Sequence, residues 1–480
     1  MPGPGRIEIR PDAVLVVGVT GHREIGVEGA AAKVIAATLH DVLQDLSDIM
    51  SASAAANVAY FSDAAPRLRL VTMLADGADL LAARAAASIG GEIAAVLPYS
   101  FDEYVRDFTS SESLRMLSET WQVAATKLEL PGTRQEGARA YERASDVMIA
   151  NCDLVIAIWD GKPARGRAGT GDVVQNALAA DLSLIVIDPA VPERAELIVP
   201  PDFESFEIPI ASELPRAPLS PKLSALVTRR LTPPTGRGIR GALDDFLSED
   251  PAAQTHRFEY PLLLKIFRTS PREPERPTEA SCQLTDPGRE RDKIEGVTAV
   301  VEGFADRYGR MFRSSVSTRY LLLVLVSLSV GVVSTLYPPA MGIAILCQIA
   351  FNGLVIYDMA QRRKQRWQQR WLDYRSVAER LRRYRFLHPL GLGAGALLPP
   401  DARVARSWTD WFVLRHVRAT GGPNGRVCAD FPAVANEIYS AWETPCALSL
   451  FCLSRSGLSS QLCLREVKTL KPVQTTTSPA

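Results

Sequence analysis

The chain has 480 residues, enough for two or three domains of about 100 to 200 residues each. Its 54 Lys and Arg residues balance its 54 Asp and Glu residues, so overall charge gives no reason to expect nucleic acid as a partner. The first twenty residues lack the basic start and apolar run of a signal peptide, which predicts an N-terminus that is not exported. No two of the seven cysteines have the two-residue spacing of zinc or redox motifs, so we expect no metal site.

Five short apolar runs in the first 190 residues end in turn residues and alternate with helical patterns. They are Val14 to Val19, Leu70 to Leu74, Ile93 to Leu97, Asp153 to Trp159 and Leu184 to Ile187. Continuously apolar strands that alternate with helices are typical of a parallel sheet covered on both faces. The fold expected for residues 11–190 is therefore α/β, a Rossmann-like parallel sheet domain.

Three glycine-bearing loops, at 18–23, 76–79 and 161–172, follow strands of this sheet. Ligands of such sheets bind beyond the carboxyl ends of the strands, where glycine lets the backbone approach a phosphate and a helix N-terminus attracts its charge. Each loop alone can also be an ordinary turn, and its polar side chains can be capping or surface residues. The candidate ligand-binding residues are Gly18, Thr20, Gly21, His22, Arg23, Gly77, Ala78, Asp79, Lys162, Gly169, Thr170, Gly171 and Asp172.

Four sequence segments carry a resemblance to a known family. They are VGVTGHR (17–23), ADGADLLAA (75–83), AAVLP (94–98) and WDGKPARGRAGTGDVV (159–174). Together they resemble the SLOG domain, a Rossmann-like fold shared with the cytokinin-activating phosphoribohydrolases, over about residues 11–190. The resemblance implies a nucleotide or nucleotide-derived ligand, whose identity it does not give, and no further cofactor.

The enzymatic branch of that family carries a loop of the form PGGxGTxxE, whose Glu takes part in glycosidic bond cleavage. When Gly169 and Thr170 are aligned with this loop, Val173 stands at the position of the Glu and Asp172 lies one residue before it. A shift of one residue at a helix start turns a side chain by about 100°. The resemblance therefore favours ligand sensing, with a membrane-tethered phosphoribohydrolase-like enzyme that uses Asp172 as the alternative.

Residues 191–290 are expected to form an extension and a flexible linker. Prolines interrupt any long helix there, and short helices are expected at about 223–230 and 240–248. The segment 269–289 is rich in Pro, charge, Ser and Thr, a composition that buries too little apolar surface to fold alone. We expect it to tether the first domain to the segment that begins at residue 291.

A block of 38 residues between Arg319 and Asp358 contains no charged residue and no histidine, and a Tyr-Pro-Pro sequence divides it near its middle. The two halves, at about 320–336 and 341–357, have the length and composition of membrane-spanning helices. Basic residues flank both, which predicts a multi-pass membrane protein with both termini in the cytoplasm. A buried helical hairpin in a soluble protein is the alternative.

Two polar residues in the second span, Gln348 and Asn352, are four positions apart and lie on one helical face. In hydrocarbon such groups find partners across helices or in a water-filled path. They are therefore candidates for pore lining or for interhelical hydrogen bonds.

Helices are expected to enter the first span over 291–319 and to leave the second over 358–388. In the latter, spacings of four and three residues predict a seam that packs on another helix, formed by Trp367, Trp371, Tyr374, Ala378 and Leu381. The other faces of this helix are rich in arginine, which favours contact with an anionic inner leaflet over contact with nucleic acid.

The two spans, the basic exit and the sequence WLDYRSVAERLRRYRFL at 371–387 resemble the SLATT module. This is a two-helix membrane effector found beside SLOG sensors in bacterial conflict systems, and the resemblance covers about residues 295–390. It implies that residues 291–390 form an all-α membrane module with a two-helix transmembrane hairpin in the bacterial inner membrane. It also implies a homo-oligomer that opens a pore in antiviral defence.

The remaining segments carry weaker signals. Residues 391–444 are expected to form a short cytoplasmic helical segment, with Trp408, Trp411 and Phe412 on an amphipathic helix, and residues 445–480 a tail to which we assign no order. The whole chain is thus predicted to be a membrane-bound sensor and effector for a nucleotide-like signal. A binding module with a passive membrane anchor is a further alternative.

Overall fold

The computed structural model describes residues 8–164, 166–200, 210–236, 238–253, 257, 259–266, 289–336, 339, 341–393 and 407–427. The chain divides into two compact units. The described residues of 10–240 and 383–427 belong to an α/β unit, and those of 241–266 and 293–382 to a helical unit. Most of the predicted linker at 269–289 and all of the predicted tail at 445–480 lie outside the described residues.

The first part of the chain contains β1 (Val14–Gly21), α1 (Ala30–Ala56), β2 (Arg67–Thr72), α2 (Ala78–Ser88), β3 (Glu92–Leu97), α3 (Phe101–Tyr104), α4 (Ser111–Val123), β4 (Thr126–Glu129), α5 (Ala138–Asn151), β5 (Leu154–Ile158), α6 (Thr170–Ala179), β6 (Ser183–Ile187), β7 (Ala195–Ile198), β8 (Ala217–Pro218) and α7 (Lys222–Leu231). The second part contains α8 (Ile239–Leu247), α9 (Glu259–Ile266), α10 (Arg289–Leu336), α11 (Met341–Gln365), α12 (Trp367–Leu387), α13 (Trp408–Thr420) and β9 (Gly425–Arg426). The five predicted strands correspond to β1, β2, β3, β5 and β6, and the two predicted short helices to α7 and α8.

The nine strands found among the described residues form one sheet in the order β8-β7-β6-β5-β1-β2-β3-β4-β9. From β6 to β9 all neighbours are parallel, but β7 runs antiparallel to β6 and to β8. The sheet is therefore mixed: its strands within residues 11–190 are parallel, as predicted, whereas β7 and β8, which follow that range, add an antiparallel edge. Because only residues 188–194 connect β6 to β7, the chain can return only as a hairpin, whereas a parallel crossover takes a dozen residues or more.

The core of the α/β unit lies between the central strands and the helices packed on them. Val16 of β1 and Val155 of β5 belong to one buried cluster with Met148 of α5 and Val174 of α6. All four side chains are at most 2% exposed. Burial of such apolar side chains, each stabilising by about 1.5–3 kcal/mol, holds these helices against the sheet.

Helix α13 is part of this unit although it follows β1 by about 400 residues. Every residue from Trp408 to Thr420 is buried, and the Trp411 indole N–H donates to the Leu231 carbonyl of α7 at 3.2 Å. The expectation of an amphipathic helix is wrong, because its polar residues are not exposed: Arg415 and Arg418 both bind the buried Asp153. Residues 407–427 thus complete the α/β unit, with β9 added beside β4.

The seam predicted in α12 is confirmed within the helical unit. Trp367, Tyr374, Ala378 and Leu381 are buried. The Tyr374 ring packs against Phe246 of α8 at 5.0 Å and Phe304 of α10 at 6.1 Å between ring centroids. Trp371, the fifth seam residue, stacks on Phe312 of α10 at 5.6 Å.

The single helix predicted over 358–388 is interrupted at Arg366. This residue has φ 53°, in the left-handed region that non-glycine residues seldom adopt. Its guanidinium donates to the Gln369 side chain at 2.7 Å, and its carbonyl accepts the Arg370 N–H at 2.9 Å. The second helix therefore begins anew at Trp367, which allows that indole to be buried.

Helices α10 and α11 are long and apolar enough to cross a membrane. Within the described part of this chain most apolar side chains of the two predicted spans are exposed: Leu346 and Ile356 are both 68% exposed, whereas Val326 and Ala344 are buried. Other exposed apolar residues of the two helices are Leu321, Leu323, Val324, Leu325, Leu328, Val332, Leu336, Ile343, Ile345, Ile349 and Leu354. The buried soluble hairpin would require these residues to be covered.

The charge-free block ends at Asp358, whose carboxylate is buried and paired. Arg257 binds one carboxylate oxygen at 2.6 Å, and the Ser315 hydroxyl of α10 donates to the other. Asp358 thus connects α10, α11 and Arg257 where the second apolar segment ends.

Candidate functional site

The sheet order creates a crevice between β1 and β5. From β1 the chain adds β2, β3 and β4 on one side, whereas β5 and β6 lie on the other side. Ligands of open α/β sheets bind at such a switch point, beyond the carboxyl ends of the strands. The loops that follow β1 and β5, beginning at His22 and Trp159, therefore border the crevice.

The first two predicted loops pack directly on each other. Gly77 has φ 83°, and a Cβ at this position would lie 2.9 Å from the Arg23 carbonyl oxygen and 3.0 Å from that of His22. A Cβ at Gly21 would lie 2.4 Å from the Ala78 Cβ. Only glycine permits both approaches, so the structure brings together the loops 18–23 and 76–79.

We expect Gly77→Ala to lower the free energy of unfolding of the α/β unit by about 3 kcal/mol, because it adds left-handed strain and a clash with backbone. Gly90→Ala is the matched control, since Gly90 has φ 75° but nothing lies within 4 Å of its Cβ position. The control should cost only about 1 kcal/mol. Hydrogen exchange of the β1 and α2 amides in the full chain measures both, and equal losses would contradict the close packing.

The third loop meets the first through Asp160, which directly follows Trp159. The Asp160 carboxylate lies 3.5 Å from His22 Nε2 and 3.1 Å from Lys162 Nζ. Burial alone would raise the pKa of Asp160, but the hydrogen bonds from Lys162 and the nearby His22 lower it. An anionic Asp160 thus pairs with Lys162 and lies beside His22 at the crevice, a role that the sequence pattern did not indicate.

The start of α6 is covered by its own loop. A Cβ at Gly171 would lie 2.7 Å from the Ala164 backbone nitrogen and 2.9 Å from the Lys162 carbonyl oxygen. Gly169 is the residue before the helix, and Thr170 its first residue. The glycines therefore allow the segment around Lys162 to lie against the helix N-terminus, where an anion would bind.

Asp172 and Val173 have structural partners in this arrangement. The Asp172 carboxylate accepts the Ala168 N–H at 3.0 Å, within its own loop. Val173 is 2% exposed and lies in the core. Val173 occupies the position aligned with the family's Glu, so in this chain that position points into the core.

Gly18 lies away from the sheet edge. It is inside β1, and a Cβ there would lie 2.7 Å from Cys152 Sγ and 3.2 Å from the Met148 side chain. The close packing of β1 against α5 therefore explains why this position holds a glycine. Thr20, also in β1, is buried.

A cluster of tyrosines, which the sequence interpretation missed, lies beside the first two loops. The Arg23 guanidinium stands 4.4 Å from the centre of the Tyr141 ring. Tyr141 donates to Asp107 at 2.6 Å, and Tyr99 also donates to Asp107. These two bonds, with Arg134, lower the pKa of Asp107 although its burial acts in the opposite direction. Tyr99 closely follows a predicted strand, but no local pattern indicated Tyr141.

Asp79 is buried at the start of α2. Its Oδ2 atom accepts the Thr72 hydroxyl at 3.1 Å and the N–H groups of Met73 and Ala75 at 3.2 and 3.4 Å. Burial raises its pKa to about 6, although these hydrogen bonds and Arg23 act to lower it. The carboxyl group therefore changes protonation near neutral pH.

Among the residues that the structure describes, no three His, Cys, Asp or Glu side chains are grouped so that they could hold a metal ion. Comparisons with protein-family models, curated proteins and solved structures give no match to this chain. The SLOG and SLATT resemblances therefore rest on the sequence motifs alone.

Proposed function

We propose that this chain is a membrane-bound sensor and effector. Its α/β unit binds a nucleotide or nucleotide-derived signal, and its helical unit responds within the membrane by oligomerising or forming a pore. The resemblance of its motifs to SLOG and SLATT supports a location in the bacterial inner membrane, as part of a defence or conflict system. A ligand drives such a response only through its different affinity for two states of the protein.

The observation that carries this proposal is the meeting of three glycine-bearing loops at the crevice between β1 and β5. The loops bring Arg23 and Lys162 to a sheet edge at which a helix N-terminus also lies. Cationic side chains, close backbone approach and the positive end of a helix are together suited to phosphate. A nucleotide supplies the phosphate, and the neighbouring tyrosine rings offer apolar faces to its sugar and base.

The exposed apolar side chains of α10 and α11 support the membrane assignment. Arg310 precedes the first span, Arg363 and Lys364 follow the second, and all three are exposed. Basic residues on the outer flanks of a short hairpin favour a cytoplasmic location for both ends. The hairpin therefore supports a protein whose two termini face the cytoplasm.

The polar residues of the spans differ in their partners. Ser327 and Thr335 in α10 donate to carbonyls of their own helix, at 2.9 Å in each case. Gln348 and Asn352 in α11 make no hydrogen bond to any residue that the structure describes, and Asn352 is exposed. Amide groups in hydrocarbon need partners, which supports a contact with α11 of a second copy or a water-filled path.

The membrane assignment predicts the reactivity of Cys347 in α11. This cysteine is exposed in the isolated chain, so a soluble protein would react with a charged, membrane-impermeant maleimide. In inner-membrane vesicles we expect peptide-resolved mass spectrometry to show Cys347 unmodified, because lipid covers it. Denaturant should then make it reactive. Full modification in intact vesicles would contradict a membrane-spanning α11.

The binding step is tested by mass spectrometry of small molecules that copurify with the full chain in detergent. We expect a phosphate-containing nucleotide with the wild type and at least a tenfold loss with Gly171→Ala, since the new Cβ meets backbone. Gly166→Ala is the matched control in the same loop, because nothing lies within 4 Å of its Cβ position. Equal nucleotide content in all three proteins would contradict binding at this loop.

The two alternatives make different predictions. A phosphoribohydrolase-like enzyme should turn over a nucleoside monophosphate, with turnover lost and binding kept in Asp172→Asn. Its support is weaker, because Asp172 accepts a hydrogen bond within its own loop. A passive anchor should bind the ligand without any change in membrane conductance.

A further inference from the structure

Helix α9 (Glu259–Ile266) is rich in apolar residues, yet none of its residues is buried. Its sequence is EYPLLLKI, and Leu262 and Ile266 are 48% and 63% exposed. These two residues are four positions apart and so lie on one face of the helix, with the exposed Lys265 beside them. Because large apolar side chains are unfavourable in water, this face is suited to an apolar environment that the described part of the chain does not supply.

The start of α9 is fixed beside the two apolar helices. The Tyr260 N–H donates to the Ser314 hydroxyl of α10 at 3.3 Å, and the Arg313 guanidinium lies 5.1 Å from the centre of the Tyr260 ring. Arg257, which precedes α9 by two residues, binds Asp358 of α11 at 2.6 Å. These contacts hold the beginning of α9 against α10 and α11.

Two exposed tyrosines mark the height at which the apolar segments end. Tyr320 begins that of α10 and is 66% exposed, and Tyr357 ends that of α11 and is 64% exposed. Tyrosine is enriched at the boundary between hydrocarbon and water. Asp358, which binds Arg257, directly follows Tyr357, and Ser314 lies six residues, or about 9 Å of helix, before Tyr320. The start of α9 is therefore at the height of the lipid headgroups.

We propose that α9 is an interfacial helix that binds the cytoplasmic surface of the phospholipid bilayer. Its Leu262 and Ile266 side chains enter the boundary between headgroups and acyl chains, as the apolar face of such helices does. The Lys265 ammonium extends to the headgroup phosphates, whose charge it complements. The same lipid that covers the exposed faces of α10 and α11 thus continues over α9. The inference rests on the proposed membrane location and adds a lipid contact outside the two spans.

The test uses the full chain in vesicles of phosphatidylethanolamine and phosphatidylglycerol, with a fraction of phospholipid that carries a photoreactive diazirine on its acyl chain. After illumination, peptide-resolved mass spectrometry shows which residues meet acyl chains. We expect adducts at Leu262 or Ile266 as well as in α11. Helix α8 is the internal control and should carry at least tenfold fewer adducts, because its Leu243 and Phe246 are buried in the protein.

A variant tests the face that is assigned to lipid. Leu262→Ser combined with Ile266→Ser should lower the adducts on α9 at least fivefold and leave those on α11 unchanged, since polar side chains do not enter the acyl region. Val123→Ser is the matched control, because Val123 is a 69% exposed apolar residue of α4, and it should change neither. Equal α9 adducts in the double variant and wild type would overturn the assignment of this face.

The wild-type outcomes separate the interfacial helix from the membrane location. Adducts on α11 with none on α9 overturn the interfacial helix and leave the membrane spans standing, and this comparison needs no variant. Protection of α9 from a water-soluble carbene reagent without lipid adducts shows that protein covers it, and also overturns the proposal. Absence of adducts from both α9 and α11 overturns the membrane location and the interfacial helix together.

Discussion

Replacement of Asp153 by alanine is expected to lower the free energy of unfolding of the α/β unit by about 3–5 kcal/mol. One Asp153 oxygen accepts from Arg415 at 2.9 Å and from Arg418 at 3.1 Å, and the other accepts the Val16 N–H at 3.1 Å. Both guanidinium groups are buried. Loss of the carboxylate would leave two cations without their counterion between the sheet and α13.

Hydrogen exchange of the β1, β5 and α13 amides in the full chain measures this loss. The control is Asp63→Ala, because Asp63 is 91% exposed and lies 3.8 Å from Arg10. Exposed pairs contribute about 0–1 kcal/mol, so the control should remain close to wild type. A loss below about 1 kcal/mol for Asp153→Ala would contradict the anchoring of α13 by charge.

The same contact predicts a pH dependence. Burial would raise the pKa of Asp153, but Arg415, Arg418, Arg230 and the Val16 N–H lower it to about 2, against about 3.9 in an unfolded chain. A lowered pKa means that the carboxylate stabilises fully above about pH 4 and that this contribution is lost as pH falls through about 2. The stability difference between wild type and Asp153→Asn should therefore shrink over this range in denaturant titrations. A difference that stays constant from pH 5 to pH 2 would exclude Asp153 as the titrating group.

Replacement of Glu249 by alanine is expected to have the second largest effect, about 3 kcal/mol, within the helical unit. Its carboxylate accepts from the hydroxyls of Tyr308 at 2.5 Å and Tyr374 at 3.1 Å, and from Arg370 at 2.8 Å. The side chain is 9% exposed. Its removal would leave three donors unmatched and loosen the segment after α8 from α10 and α12.

This effect is measured by thermal unfolding of the helical unit in detergent, with hydrogen exchange of the α12 amides as the readout. Glu379→Ala is the matched control on α12, because Glu379 pairs with Arg382 at 3.2 Å on a more exposed face. Such a helix-surface pair contributes about 0.3–0.5 kcal/mol. Similar losses in the two variants would show that the Glu249 network does not fix the segment.

The central strands could be predicted from sequence because each is a continuous apolar run that ends at a turn. Strands β4, β7, β8 and β9 could not, since they have four to six residues fewer than β1 and lack such runs. The docking of α13 depends on the contact of Asp153 with Arg415, which lies 262 positions later in the sequence. A local periodic pattern covers too short a stretch of sequence to predict such a contact. The interruption between α11 and α12 at Arg366 likewise could not be predicted, because no Gly or Pro marks it.

The candidate site was predicted only in its glycine loops. Glycine marks where backbones approach, and the contact of Gly77 with the first loop agrees with this. The same signal misplaced Gly18, since close packing in a core also requires glycine. Asp160 and Tyr141 contact groups that only the folded sheet brings near, so these contacts could be found only from the structure.

Ion flux across vesicles that contain the purified full chain tests the central proposal most directly. The vesicles are prepared with wild type, Gly171→Ala or Gly166→Ala. The nucleotide that copurifies with the chain is first removed from each protein and is then added back to the vesicles. We expect nucleotide-dependent flux with wild type and Gly166→Ala and none with Gly171→Ala. Nucleotide binding without any change in flux in the wild type would contradict a sensor coupled to a membrane effector, and would leave a binding module with a passive anchor.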